Sequence, residues 1–172
     1  MTIVDDRTTS EETKLGAIGD LELVIRQEGV DEDLIVSAGD SIFSEPRFDE
    51  LAAYAEERHA PVLAVREADD PAALTSYSVV AVDGEGRITS FEEKPQRPRS
   101  NLAGIALYSY PRETLPLVRR YVDEGNNPDQ PGRLVEWMYT RVPFYSWRVG
   151  GEWYDIGSKE TLAAADRKFS QT

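Results

Sequence analysis

Apolar residues in this chain alternate between short unbroken runs and sets at helical spacing, with polar, turn-forming stretches between them. Ile3 and Val4 read as the end of a strand, and Asp5 to Lys14 as a charged loop. Leu21, Leu23, Val24 and Ile25 then recur at helical spacing and stop at Gly29. The run Leu34 to Ala38 reads as a buried strand that enters a loop at Gly39-Asp40. Helical spacing returns over Phe48 to His59 and is followed by a strand at Pro61 to Val65. Ser78 to Val82 and Arg87 to Phe91, joined by Asp83-Gly-Glu-Gly, predict a β-hairpin. A strand over Leu102 to Tyr108, a helix from Arg112 to Glu124, a turn-rich loop from Gly125, a helix over Leu134 to Thr140 and a strand over Phe144 to Val149 follow. Ser158 to Phe169 closes the chain as a helix, with Ser158 as its N-cap and Leu162, Ala165 and Phe169 turned inward.

Strands alternating with helices predict an α/β sandwich whose sheet is mainly parallel, interrupted by one hairpin, with ligands at the carboxyl ends of the strands. No repeat, low-complexity segment or composition break marks a linker, so residues 1–172 are expected to form one domain.

Composition narrows the function. Thirty-two acidic residues against 19 basic ones give a net charge of −13, which repels a phosphate backbone or an anionic membrane, so neither nucleic acid nor membrane is an expected partner. The surplus acidity reads as a solvated surface. With 40% hydrophobic residues, the chain is not of the disordered class. It has no cysteine, which removes disulfides, thiolate nucleophiles and cysteine metal sites, and its one histidine, His59, weakens most catalytic triads. No run reaches the ~18 to 20 apolar residues of a membrane span, and the start is acidic where a signal peptide is basic. A cytoplasmic location is expected.

Three clusters could carry chemistry. In Ala38-Gly-Asp-Ser-Ile-Phe43, Asp40 follows a strand, where a carboxylate suits a hard cation such as Mg²⁺; the alternative is an Asp that closes a turn or caps the next helix. In Phe91-Glu-Glu-Lys-Pro95, Glu93 could accept sugar hydroxyls and Lys94 could hold a phosphate. Strand alternation separates Glu93 from Glu92 and Lys94 unless a bulge or turn intervenes, and a solvated hairpin end is the other reading. In Trp153-Tyr-Asp-Ile-Gly157, Asp155 could share a metal with Asp40 at one rim of the sheet, or it could cap the following helix. Gly16-Ala-Ile-Gly19 lacks the spacing and lysine of a P-loop, and no Gly-x-Ser-x-Gly elbow is present. His59 reads as exposed or capping, and Trp137, Trp147 and Trp153 as core or rim packing.

Taken together, Gly39-Asp40-Ser-Ile-Phe43, Phe91-Glu-Glu-Lys-Pro95, the strand ending at Tyr108 and Trp153-Tyr-Asp155-Ile-Gly157 resemble, in order and spacing, the sugar-nucleotide pyrophosphorylases typified by glucose-1-phosphate thymidylyltransferase. The resemblance implies a three-layer α/β/α Rossmann-like nucleotidyltransferase fold and transfer of a nucleotidyl group from an NTP to a sugar 1-phosphate, with release of pyrophosphate. It implies Asp40 and Asp155 as Mg²⁺ ligands, Glu93 at the sugar hydroxyls, Lys94 at the sugar phosphate, and Gly16 near base and sugar. Members of the family begin with a strand and a Gly-x-Gly-x-Arg loop followed by a Pro-Lys pair, which this sequence does not contain. The chain is therefore expected to be the carboxyl-terminal part of the catalytic domain, inactive alone, with an open hydrophobic sheet edge. A homo-oligomer or a complementing amino-terminal segment is an expected partner. Ile105-Ala106 stands where the family often shows Thr-Gly, and Ser78 where a glycine commonly follows the tyrosine, both adding bulk near the sugar. Two other functions stay open: a noncatalytic sugar-phosphate-binding or oligomerisation module, and a glycosyltransferase using a nucleotide-sugar donor.

Overall fold

A computed structural model describes residues 1–68 and 70–170. Its strands are β1 (Leu34–Ser37), β2 (Ser41–Phe43), β3 (Val62–Glu67), β4 (Ser78–Val82), β5 (Ile88–Glu93), β6 (Leu102–Tyr110), β7 (Tyr145–Arg148) and β8 (Trp153–Asp155). Its α-helices are α1 (Ala17–Glu28), α2 (Phe48–Arg58), α3 (Leu115–Asp123), α4 (Pro131–Met138) and α5 (Lys159–Phe169).

The long strand β6 organises the main sheet, whose order is β5-β4-β6-β3-β7 with β1 also paired to β6. Both faces of β6 are buried, and its period-2 alternation feeds two cores. Leu102, Tyr108 and Tyr110 point into one with Leu63 and Val65 of β3, while Ile105 and Leu107 point into the other with Val62 and Ala64. Helices α1, α3 and α4 cover the first core, contributing Ile18, Leu115, Val118, Leu134, Val135 and Met138. Helix α2 covers the second through Leu51 and Ala55. This is the expected three-layer α/β arrangement.

The sheet is mixed as expected, but antiparallel pairs predominate among the described residues. Only β3 and β7 pair in parallel, whereas β1, β3 and β4 each run against β6. A run buried on both faces reveals its burial and not its direction, so the pattern carries no warning of a reversed central strand. β1 pairs with β6 alone among the described strands, leaving its other edge open, with Ile35 39% exposed.

Two further expectations change. Ile3 is 82% exposed and no strand precedes α1, because two apolar residues find no ladder to join. Leu162 is 53% exposed, while Ala165 is buried and Phe169 packs edge-on against Tyr154 of β8. The two-stranded pairing beneath α5 is too narrow to cover the whole expected face. His59 ends α2 in the left-handed region at φ 48°, its N–H donating to Glu56. Ser158 caps α5 in a reciprocal capping box with Thr161. Ser158→Ala is expected to cost about 1 kcal/mol, read as a lower urea midpoint with an unchanged slope.

Candidate functional site

Asp40 and Asp155 meet on a ribbon separate from the main sheet. β2 and β8 pair antiparallel with Ser41 opposite Asp155, and the Ile156 N–H donates to the Asp40 carbonyl at 2.9 Å. Neither aspartate caps a helix: β2 follows Asp40, and the cap of α5 is Ser158. Burial raises the Asp155 pKa, the Asp40 charge raises it further, and the Lys94 ammonium opposes both. Asp40 and Lys94 therefore both lie within electrostatic reach of Asp155.

Lys94 reaches that position through its backbone. It adopts a left-handed φ of 48°, with its N–H donating to the Tyr77 carbonyl at 3.2 Å. This turn breaks the strand alternation, so Glu93 and Lys94 line one cavity, while Glu92 turns away toward Arg99, 3.8 Å distant. The sequence reading required such a turn and could not supply it.

Glu93 lies at the end of β5 opposite Ser78 of β4, and Ser78 lies opposite Gly104 of β6. The Ser78 hydroxyl donates to Glu93 Oε2 at 2.5 Å. The first turn of α4 closes on the same carboxylate, since a Cβ on Gly132 would collide with Oε2. Tyr108 stands nearby: burial first, then the Glu93 charge, pushes its phenol well above the ordinary range.

The resulting cavity holds about 330 Å³ and is lined by Asp40, Lys94 and Asp155, by Ser78, Glu93 and Gly132, and by Gly104, Ala106 and Tyr108 along β6. Trp153 and Tyr77 meet edge-on at 5.4 Å, and the indole N–H donates to Ser41 Oγ at 3.3 Å, so Trp153 is the rim packing expected of it. Burial, then the Asp155 charge, raises the Tyr77 pKa.

Gly16 stands apart from the cavity lining. It precedes α1 at φ 79°, and its missing Cβ admits the backbone of Pro128 and Asp129, whereas Ala17 faces the cavity. Sequence reasoning missed Gly132 and Tyr77. Pro131 at the first position of α4 was the available signal that a helix begins there rather than at Leu134.

Among the described residues the two carboxylates have no third acidic or histidine partner, a pair that fits a hard cation completing its shell with water and phosphate oxygens. A larger cleft of about 450 Å³ between α1 and α3 contains arginines, but Arg26, Arg112 and Arg119 are each already ion-paired.

The sequence model described as Nucleotidyl transferase matches residues 5–172. The chain belongs to that family. Among its relatives, the glucose-1-phosphate adenylyltransferase of Thermomicrobium roseum is 30% identical over 142 residues, covering 78% of this chain and 32% of that protein. The bifunctional protein GlmU of Methanocaldococcus jannaschii is 24% identical over 138 residues, covering 80% and 32%. A solved UDP-glucose pyrophosphorylase in complex with UDP-glucose superposes with a TM-score of 0.76 at 20% identity, covering 91% of this chain and 62% of that one. The chain thus spans about a third of the length of these curated relatives and under two thirds of that solved structure. The superposition confirms the α/β nucleotidyltransferase fold. Among the described residues, no helix is long and apolar enough to cross a membrane.

Proposed function

We propose that the cavity is the sugar-phosphate and metal end of a sugar-1-phosphate nucleotidyltransferase site, and that these residues form the carboxyl-terminal part of its catalytic domain. The observation that carries this reading is that Asp40, Asp155 and Lys94 line one cavity together with Glu93, with Asp155 within electrostatic reach of both Asp40 and Lys94.

In this reading Lys94 holds the phosphate of the sugar 1-phosphate by a charge-assisted hydrogen bond, and Glu93 accepts from sugar hydroxyls. An oxygen of that phosphate attacks the α-phosphorus of the NTP, the bond from the α-phosphorus to the bridging oxygen breaks, and pyrophosphate leaves. Asp40 and Asp155 would hold Mg²⁺, which neutralises phosphate charge when bound. Such chemistry is positioning and charge compensation, and needs neither cysteine nor histidine. NTP and sugar phosphates are cytoplasmic compounds, and the cytoplasm is the proposed location.

Calorimetry with α-D-glucose 1-phosphate in Mg²⁺ tests this. Lys94→Ala is expected to weaken binding about 10- to 100-fold, since a hydrogen bond to a charged group contributes ~1.5 to 3 kcal/mol. Equal binding by wild type and variant, or no hexose 1-phosphate bound by wild type, would sink the reading.

The open edge of β1 favours a second reading, a noncatalytic module that associates through that edge. Light scattering distinguishes it: a strict monomer at high concentration would count against it.

A further inference from the structure

Glu93 is held from two sides, by a serine of the neighbouring strand and by the first turn of a helix. Among the described residues its carboxylate accepts one hydrogen bond, from Ser78 to Oε2, and the α4 backbone at Gly132 closes on that same oxygen. Oε2 is therefore occupied from two directions. Oε1 is the oxygen left for a ligand. The clamp is built from three strands and a helix: Ser78 faces Glu93 across the β4–β5 ladder and Gly104 across the β4–β6 ladder, and Gly104 leaves room beside the serine.

A carboxylate with both oxygens free can take the two hydroxyls of a vicinal diol, one on each oxygen. With one lone pair of Oε2 taken by Ser78 and the Gly132 backbone pressed against the same oxygen, that bidentate grip is lost. We propose that Ser78 is a specificity-determining positioning residue, which reduces Glu93 to a single acceptor, so the pocket selects its hexose phosphate through one hydroxyl and not through a vicinal pair. The inference rests on the sugar-phosphate reading of the cavity, and it adds a residue that acts through Glu93.

Two measurements on the isotopically labelled chain separate the clamp from the sugar reading. Without ligand, three-bond couplings of the Glu93 side chain are expected to show one rotamer in wild type and Ser78→Thr, and averaging in Ser78→Ala. With the monodeoxy analogues of α-D-glucose 1-phosphate in Mg²⁺, wild type is expected to lose about ten-fold in affinity at one ring position only. Ser78→Ala is expected to show losses at two adjacent positions, and Ser78→Thr to restore the single one. A single Glu93 rotamer in Ser78→Ala overturns the clamp whatever binds. A clamp that is present with an unchanged analogue profile in Ser78→Ala overturns its role in selection. A clamp that is present with no hexose phosphate bound overturns the sugar reading, and the specificity role with it.

Discussion

Asp155→Asn is expected to lower nucleotidyl transfer by the whole protein at least ~100-fold, the scale seen when one preorganised electrostatic group is removed from a site of charge development. The same change is expected to raise the melting temperature of the metal-free chain. In the folded protein, burial and the Asp40 charge raise the Asp155 pKa above its unfolded value. Between the two values the folded state binds more protons than the unfolded one, so stability falls as pH rises through that window and stays lower above it. Asparagine removes this cost at neutral pH and changes nothing at pH values where both states are protonated. Mg²⁺ is expected to raise the melting temperature of wild type and not of the variant. Scanning fluorimetry at acid and neutral pH, with and without Mg²⁺, checks both signs. A variant destabilised at neutral pH, or one still shifted by Mg²⁺, would remove Asp155 from the metal end.

Gly16→Ala is expected to destabilise the chain by about 3 kcal/mol, combining ~1 to 3 kcal/mol for a backbone conformation nearly confined to glycine with the displacement of a packed loop. Gly16 has φ 79° and ψ 158°, and a Cβ there would meet backbone atoms of Pro128 and Asp129 at 2.8 Å. Backbone cannot rotate aside as a side chain can. The Ile18 N–H donates to the Pro128 carbonyl at 2.8 Å, so the collision pulls on the bond that fixes the start of α1. Gly29, at the other end of α1, provides the control: φ is 61° with nothing within 4 Å of an added Cβ, so Gly29→Ala is expected to cost only ~1 kcal/mol. Urea unfolding of the two variants measures the difference. Equal losses would show that the close approach at Gly16 contributes nothing beyond its dihedral angles.

What the sequence disclosed is what depends on periodicity and on local turn chemistry. The apolar runs that became β3 and β6, the hairpin of β4 and β5, the end of α2 near His59 and the cap at Ser158 were all legible. Asp40, Glu93, Lys94 and Asp155 were legible as candidates because each follows or ends an apolar strand. Strand direction was not, since β6 buries both faces whichever way it runs. The β2–β8 ribbon was hidden because each strand has three residues, too few for a period to register. Gly132 was hidden because a proline and glycine read equally as a loop, and only the approach of Glu93 from a distant strand gives the glycine its purpose.

The aspartate pair and Glu93 ride on different pieces of backbone. Asp40 and Asp155 are yoked by the β2–β8 ribbon, while Glu93 belongs to the main sheet, and these two sheets share no ladder. The gap between the aspartate pair and Glu93 is thus a caliper opening, set by how the ribbon seats on the sheet, with the bond from the Ala38 N–H to the Ala106 carbonyl as one tie to β6. The edge-on meeting of Tyr77 with Trp153 is part of that seat, one ring just before β4 and the other on β8. A change in either ring would shift the aspartate pair relative to Glu93, altering the length of ligand the site can grip with every charged side chain retained.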